Sequence, residues 1–369
     1  MLVETMAAEL SSQGHEIVLV SRDTPQSLSG TGINQWIKKH IPWNCPKPTP
    51  KQARQLAEVL AEEKVDVAHF HSGGCYGWGN RFIGHCPVPY LARHGIPCFS
   101  SSHLVVNLLT GYCGPRKPLW FKLLLLPVAW LGKMHQLFHV RAEITVSRHD
   151  DLKLRRWFAP LRRRFVQIYH SKLGTNDLVA PLAPREKVII NVGHLAARKG
   201  QTVLAEAFVQ IAKRHPGWRL EFAGKDLEDT PTRRIQALAR EHGLEDRILL
   251  LGERADILPL LRRSSIYVQP SFEEALGLAL QEAMACGCAV IGTRIGGIPE
   301  LIENPALGIL VEAGDVPQLA DALESLIIDA ARREHMGRAA SAFIRECGMT
   351  ADAMTHRHLE LYESLCTKF

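Results

Sequence analysis

The chain has no apolar run of the roughly 18 residues that would cross a membrane as a helix. Its longest candidate, LWFKLLLLPVAWLG at 119–132, is broken by Lys122 and Pro127. Nine cysteines are scattered, with a single C-x-C (Cys286, Cys288) and no C-x-x-C, so neither a zinc site nor a disulfide framework is indicated. Reduced thiols in the cytoplasm are the expectation. No G-x-G-x-x-G follows a strand pattern, and Gly30-x-Gly32 is too sparse, which argues against an NAD oxidoreductase. There is no D-x-D, no fixed-period repeat and no low-complexity tract. The opening MLVETMAAEL is acidic and lacks the basic start and cleavage site of a signal peptide.

What is present is ordinary for a globular protein: 369 residues, 46% hydrophobic and 22% charged. That length suggests two domains of about 150–200 residues. The net charge of +6 is unevenly placed. Residues 1–180 hold 22 Lys and Arg against 12 Asp and Glu, and the remainder 22 against 26. The excess concentrates in Lys153, Arg155, Arg156, Arg162, Arg163 and Arg164. It suggests an anionic partner such as a membrane surface, a phosphorylated substrate or nucleic acid, or else a solvated helix face.

Short β-rich runs alternate with helical patterns throughout, which predicts parallel sheets flanked by helices. In the first half, helix 2–12 ends at Gly14, and strand HEIVLVS (15–21) follows. Strands are also expected at 65–70, 97–103, 142–147 and 164–170, with helices at 51–64 and about 117–139. A linker is expected at 174–187, rich in Gly, Pro and polar residues. The second half then repeats strand and helix from KVIINVG (187–193) to GILVEA (308–313), and the last 55 residues are mostly helical. Ligands bind outside the carboxyl ends of such strands. Active residues are therefore expected at Phe70–Gly74, Ser102–His103, Gly193–Gly200, Pro270–Leu278 and Thr293–Glu300.

The strongest signal is PSFEEALGLALQEAMACGCAVIGTRIGGIPELI, 270–302. Glu274 and Glu282 are eight apart, a rotation of about 80° on one helix, so they share no helical face. The spacing works if Glu274 lies in a loop, Gly277 opens a helix and Glu282 lies within it. The free amides of the first turn then form an anion site between two carboxylates, the shape of a diphosphate with hydroxyl-bearing groups on either side. Alternatively both carboxylates merely cap or solvate the helix. In NVGHLAARKGQTVLAEAF (191–208), Lys199 is placed to meet phosphate as a point charge, whereas Arg198 reads as solvated. Gly296 and Gly297 allow close backbone approach, or serve the turn geometry alone.

Together these residues resemble the signature of glycosyltransferase family 4, the retaining group 1 enzymes of GT-B fold. P-S-x-x-E-x-x-G-L-x-L-x-E-A-M-A-C-G is followed by G-G-I-P-E, and R-K-G follows V-G-x-L. The resemblance covers nearly all of 187–348. It is looser over G-H-E-I-V-L-V, V-D-V-A-H-F-H, G-I-P-C-F-S-S-S-H and A-E-I-T-V-S. It implies an α/β GT-B fold of two doubly wound Rossmann-like domains facing across a cleft. The acceptor-side domain would take 1–180, completed by a helix at 350–369, and the nucleotide-sugar domain 181–349.

The resemblance also implies roles. Glu274 would hold hydroxyls of the transferred sugar, Glu282 the ribose, and Lys199 the departing diphosphate. Gly193, His194, Arg198, Gly277 and Leu278 would complete the donor site. His103 would face the sugar from the first domain, although a lone histidine is as readily structural. His194 stands where family members often carry Arg, which predicts weaker phosphate stabilisation. No metal and no cofactor is expected, and the partners are a nucleotide-sugar and a glycan or lipid-linked acceptor, not nucleic acid. Two alternatives stay open: a GT-B phosphorylase or nucleotide-sugar epimerase, and a non-catalytic GT-B scaffold.

Two further expectations concern the first domain. Residues 116–135 pair Trp120, Phe121, Leu123–Leu126 and Trp130 with Arg116, Lys117, Lys122 and Lys133. That pattern fits peripheral contact with the inner face of a cell membrane, or a helix covering the sheet or an acceptor pocket. The family begins with a strand and a Gly-rich loop, whereas this chain begins inside the following helix. An in-frame coding segment of about 10–20 residues upstream of Met1 is therefore expected, since a missing central strand would leave backbone groups unpaired; the alternative is that HEIVLVS pairs with VDVAHF directly in a smaller, inactive domain.

Overall fold

A computed structural model describes residues 2–23, 28, 32–45, 48–72, 83, 85–105, 118–178 and 185–366. Gly73, Gly74, Arg116, Lys117 and residues 179–184 of the expected linker lie outside the described residues. The chain divides into two compact units, 1–170 with 351–369, and 171–350.

The first unit holds α1 (Leu2–Ser12), β1 (Val18–Ser21), β2 (Lys39–Pro42), α2 (Pro50–Glu62), β3 (Ala68–Ser72), α3 (Val88–Arg93), β4 (Cys98–Ser102), α4 (Leu119–His139), β5 (Ala142–Thr145), α5 (Arg148–Trp157) and β6 (Phe165–Gln167). Helix α2 shows why these residues form these elements. Thr49 accepts from the Gln52 amide at 3.3 Å while the Gln52 side chain accepts from the Thr49 amide at 2.9 Å, a reciprocal cap. Ala53, Leu56, Ala57 and Leu60 then recur at helical spacing and are buried.

Strands β3, β4, β5 and β6 lie side by side, all parallel. The sequence expectation for this unit is a doubly wound sheet whose central strand is missing. Among the described residues β1 and β2 pair only with each other. They join the unit through side chains, since Val18, Val20, Ile41 and Trp43 pack on a core containing Leu56, Phe70 and Leu91. Strand β2 and helix α3 are short elements that the sequence reading does not contain. The structure also corrects the expected pairing of apolar and basic residues on α4, because Lys122 and Lys133 are buried. Lys133 meets the equally buried Glu143 at 2.9 Å.

The second unit contains β7 (Glu186–Val192), α6 (Gln201–Ala212), β8 (Arg219–Ala223), α7 (Thr230–His242), β9 (Ile248–Gly252), α8 (Ile257–Arg263), β10 (Ser264–Gln269), α9 (Leu278–Ala285), β11 (Ala289–Thr293), α10 (Ile298–Leu301), β12 (Ile309–Val311), α11 (Val316–Ile328) and α12 (Ala330–Glu346). Its six parallel strands run in the order β12-β11-β10-β7-β8-β9. Val188, Ile189 and Ile190 of β7 are fully buried, as a central strand covered on both faces requires. Asn191 donates to the Val268 carbonyl at 2.8 Å, tying β7 to β10. The last helix, α13 (Ala351–Cys366), belongs to the first unit, where Met354 packs with Met6, Ile144 and Ile168.

Candidate active site

Strand order creates the site. From β7 the chain winds outward through β8 and β9, then returns to lay β10 on the other side of β7 and winds out through β11 and β12. The loops after β7 and β10 therefore depart in opposite directions from adjacent strands, and a crevice opens at their carboxyl ends. These are the segments 193–200 and 270–277, which lie far apart in the sequence.

Backbone contacts join the two loops. The amides of Phe272 and Glu273 both donate to the Arg198 carbonyl, at 2.8 and 3.3 Å. Gly200 permits this closeness. Its φ is +68°, and a Cβ there would stand 2.0 Å from the Pro270 carbonyl oxygen. Gly296, after β11, admits the same loop from the other side: a Cβ would stand 1.7 Å from the Glu274 carbonyl oxygen.

Within this frame Lys199 and Glu274 meet. The Lys199 ammonium donates to Glu274 Oε2 at 2.6 Å, and the side chains are only 16% and 13% exposed. The same oxygen accepts from Gln269 Nε2 at 3.0 Å and from Ser271 Oγ at 3.3 Å. Gln269 accepts in turn from the Tyr267 hydroxyl, and the Ser271 carbonyl accepts from Thr293 Oγ1 at 2.7 Å. Three donors thus hold one carboxylate oxygen, and Oε1 stands outside that cluster. The sequence reading misses Tyr267 and Gln269, and takes in Ser271 only as part of the segment 270–278. The available signal was three polar residues at every second position running out of an apolar strand, hence on one face.

Glu282 lies on α9, half-buried, and burial raises its pKa, opposed by the Lys172 ammonium and reinforced by Asp177. The phenol of Tyr267 is pushed well above its usual pKa by burial, and the charges of Glu274 and Glu282 add to the effect. Both carboxylates therefore act on the same buried ring. Gly277 is the N-cap of α9, with φ +99° and no side-chain cap on the helix amides, and half-buried Leu278 opens the first turn. Gly193 ends the β7 run, and exposed His194 follows, its carbonyl accepting from Gln201 Nε2 at 2.9 Å. Arg198 is half-buried and joins the site through its backbone. The unit thus sets an ammonium, a helix N-terminus and two carboxylates around one switch-point crevice, a combination able to hold an anion flanked by hydroxyls.

His103 belongs to the first unit, immediately after β4. It shares a 3.1 Å hydrogen bond with His71, and it stands in a closed ring of five imidazoles. Ring centroids are 4.2 Å apart for His69–His71, 5.3 Å for His71–His103, 5.1 Å for His103–His170, and 5.5 Å for both His170–His358 and His358–His69. Burial holds all five below the ordinary histidine pKa, His103 at about 4 and His71 at about 3, and neighbouring imidazoles lower His69, His71, His103 and His170 further. The Tyr362 hydroxyl and Ser101 Oγ bond the two nitrogens of His69, at 2.6 and 2.8 Å. The H-x-H of β3 was the sequence signal for this cluster.

Comparison with known proteins accounts for both units. A family model described as "Glycosyl transferases group 1" matches residues 177–343, and one described as "Glycosyltransferase Family 4" matches residues 1–170. N-acetyl-alpha-D-glucosaminyl L-malate synthase of Bacillus anthracis is 26% identical over 353 residues, which cover 92% of this chain and 87% of that protein. A glycosyltransferase from Rickettsia africae ESF-5 superimposes with a TM-score of 0.78 at 20% identity, covering 100% of this chain and 96% of that one. Anabaena HepE, solved in complex with UDP, gives 0.76 at 16% identity, covering 98% and 96%. With one family model in each unit and a parallel-sheet fold shared with solved glycosyltransferases, the chain belongs to the group 1, family 4 glycosyltransferases of GT-B fold.

Proposed function

We propose that the second unit binds a nucleotide-sugar at the β7–β10 switch point. The enzyme would transfer the sugar with retained configuration, and without a metal, to a glycan or lipid-linked acceptor at the cytoplasmic side of a membrane. The observation that carries this reading is the Lys199–Glu274 pair, held beside the uncapped N-terminus of α9. An arriving diphosphate offers Lys199 a second anion. Glu274 keeps its Gln269 and Ser271 donors and can then accept hydroxyls of the sugar through Oε1. Lys199 and the α9 amides balance the charge that grows on the diphosphate as the glycosidic bond breaks. Gly193, His194, Arg198, Gly277 and Leu278 form the rest of the donor site, and Glu282 takes the ribose. His103 is the third catalytic residue of this reading.

Calorimetry of the full chain against UDP-, GDP- and ADP-sugars, with a chelator present, tests it. One nucleotide class is expected to bind, and Lys199→Ala to weaken that binding by about tenfold or more. Absence of binding to all three classes overturns the assignment. Turnover that needs an added metal overturns the metal-free part.

A further inference from the structure

Helix α4 is built inside out. Trp120, Leu123, Leu124, Val128, Leu131 and Phe138 are between 41% and 68% exposed. At 100° per residue they fall within one arc of about 140°. The opposite arc carries Lys122, Ala129, Lys133 and Gln136, all buried. A helix facing water places its charges outward and its apolar stripe inward. Here an ammonium is sunk against the buried carboxylate of Glu143 at 2.9 Å, while two of the largest aromatic and several aliphatic side chains face out. A contiguous apolar face of this kind marks an interaction surface.

The charge around that face identifies its occupant. The stretch 118–170 is described throughout, and its only carboxylates are Glu143, Asp150 and Asp151, all buried. Its exposed charge is therefore wholly positive. The basic turn 159–164 packs against α4, and Trp130 fastens the contact by donating to the Trp157 carbonyl at 2.9 Å and stacking on Phe158. Arg162 and Arg163 in that turn, and Arg156 just before it, are exposed. A second copy of the chain would bring like charges together, whereas an anionic lipid surface complements both the charge and the apolar stripe.

We propose that α4 and the turn 159–164 seat the first unit on an anionic lipid bilayer. The stripe of Trp120, Leu124, Leu131 and Phe138 enters the boundary between headgroups and acyl chains, and Arg162 and Arg163 meet lipid phosphates. This deepens the membrane-side reading above by assigning its surface. It does not depend on the donor site, so vesicle binding and nucleotide binding can fail separately.

Flotation of the full chain with phosphatidylcholine vesicles, with and without phosphatidylglycerol, tests the proposal. Binding is expected only with phosphatidylglycerol, and it weakens as salt rises. Leu124→Glu with Leu131→Glu, and separately Arg162→Glu with Arg163→Glu, should each reduce the bound fraction by about tenfold or more, with melting temperature and nucleotide binding unchanged. Because these positions are already exposed, the variants test the surface rather than the fold. Failure to float with anionic vesicles at low salt overturns the proposal. So does binding that survives the Leu124 and Leu131 changes, or a sedimentation dimer that those changes abolish.

Discussion

Lys199 illustrates why a charged residue at a proposed phosphate site need not be unpaired before the phosphate arrives. Its partner Glu274 satisfies it at 2.6 Å, so the ammonium is positioned without being left bare. Removing either residue should cost activity far more than stability, because each is partly exposed and neither anchors a core. Lys199→Ala and Glu274→Ala are expected to lower kcat/KM by about 100-fold or more, with melting temperatures near that of the parent chain. Parent-level turnover in either variant removes that residue from the site. Glu282 makes a different prediction. In its proposed ribose role Glu282 is remote from the breaking bond and contributes equally to ground and transition states, so Glu282→Ala should raise donor KM more than it lowers kcat. A kinetic comparison at saturating acceptor distinguishes the two effects. The carboxylates and the lysine were visible in the sequence. That they touch was not, because their loops are some seventy residues apart and meet only through strand order.

At the scale of elements, the buried pair beneath α4 is a structural commitment of the first unit. Lys133 and Glu143 are both fully enclosed, and Glu143 also accepts from Ser102 Oγ at 2.6 Å. Lys133→Met should destabilise the unit by about 3–5 kcal/mol, since it leaves a buried carboxylate without its cation. Adding Glu143→Leu in the same chain should recover most of that loss, because replacing both charges by apolar groups avoids the desolvation penalty. Chemical denaturation of the parent, the single and the double variant checks this, and additive losses would refute it. The extent of α4 was legible, since about 117–139 reads as one long helical stretch rich in apolar and aromatic residues. Which face turned inward was not, since an all-round apolar helix with two lysines fits the sequence either way. The buried glutamate on β5 settles the orientation.

At the scale of the whole molecule, the histidine ring gives the first unit a pH dependence. The groups facing one another are His69 and His71 from β3, His103 after β4, His170 after β6, and His358 and Tyr362 from α13; no acidic side chain contributes to the shifts of the five rings. In the unfolded chain each histidine titrates near 6.5, whereas in the folded unit all five titrate lower. Stability is therefore intact above about pH 6.5 and is lost as pH falls towards the folded values near 4 and 3. The fully buried His170 and His358 each contribute a slope of about 1.4 kcal/mol per pH unit, and the partly exposed His69, His71 and His103 contribute less. Melting of the chain between about pH 7.5 and pH 5 reads this directly, and His170→Phe should flatten the profile. A melting temperature unchanged over that range contradicts the account. By itself the sequence determined the alternation of strand and helix, the carboxylate pair, the lysine loop and the family. These are carried by local periodicity, by turn-forming glycines and by motif spacing, all of which are properties of neighbouring residues. Only the tertiary structure decided the strand order that brings 193–200 to 270–277, the separation of β1 and β2 from the four-stranded sheet, the closed ring of five histidines and the outward turn of α4. Each of these depends on which segments become neighbours when the chain folds, and even Lys133 and Glu143, ten residues apart, are joined only once β5 is laid under α4.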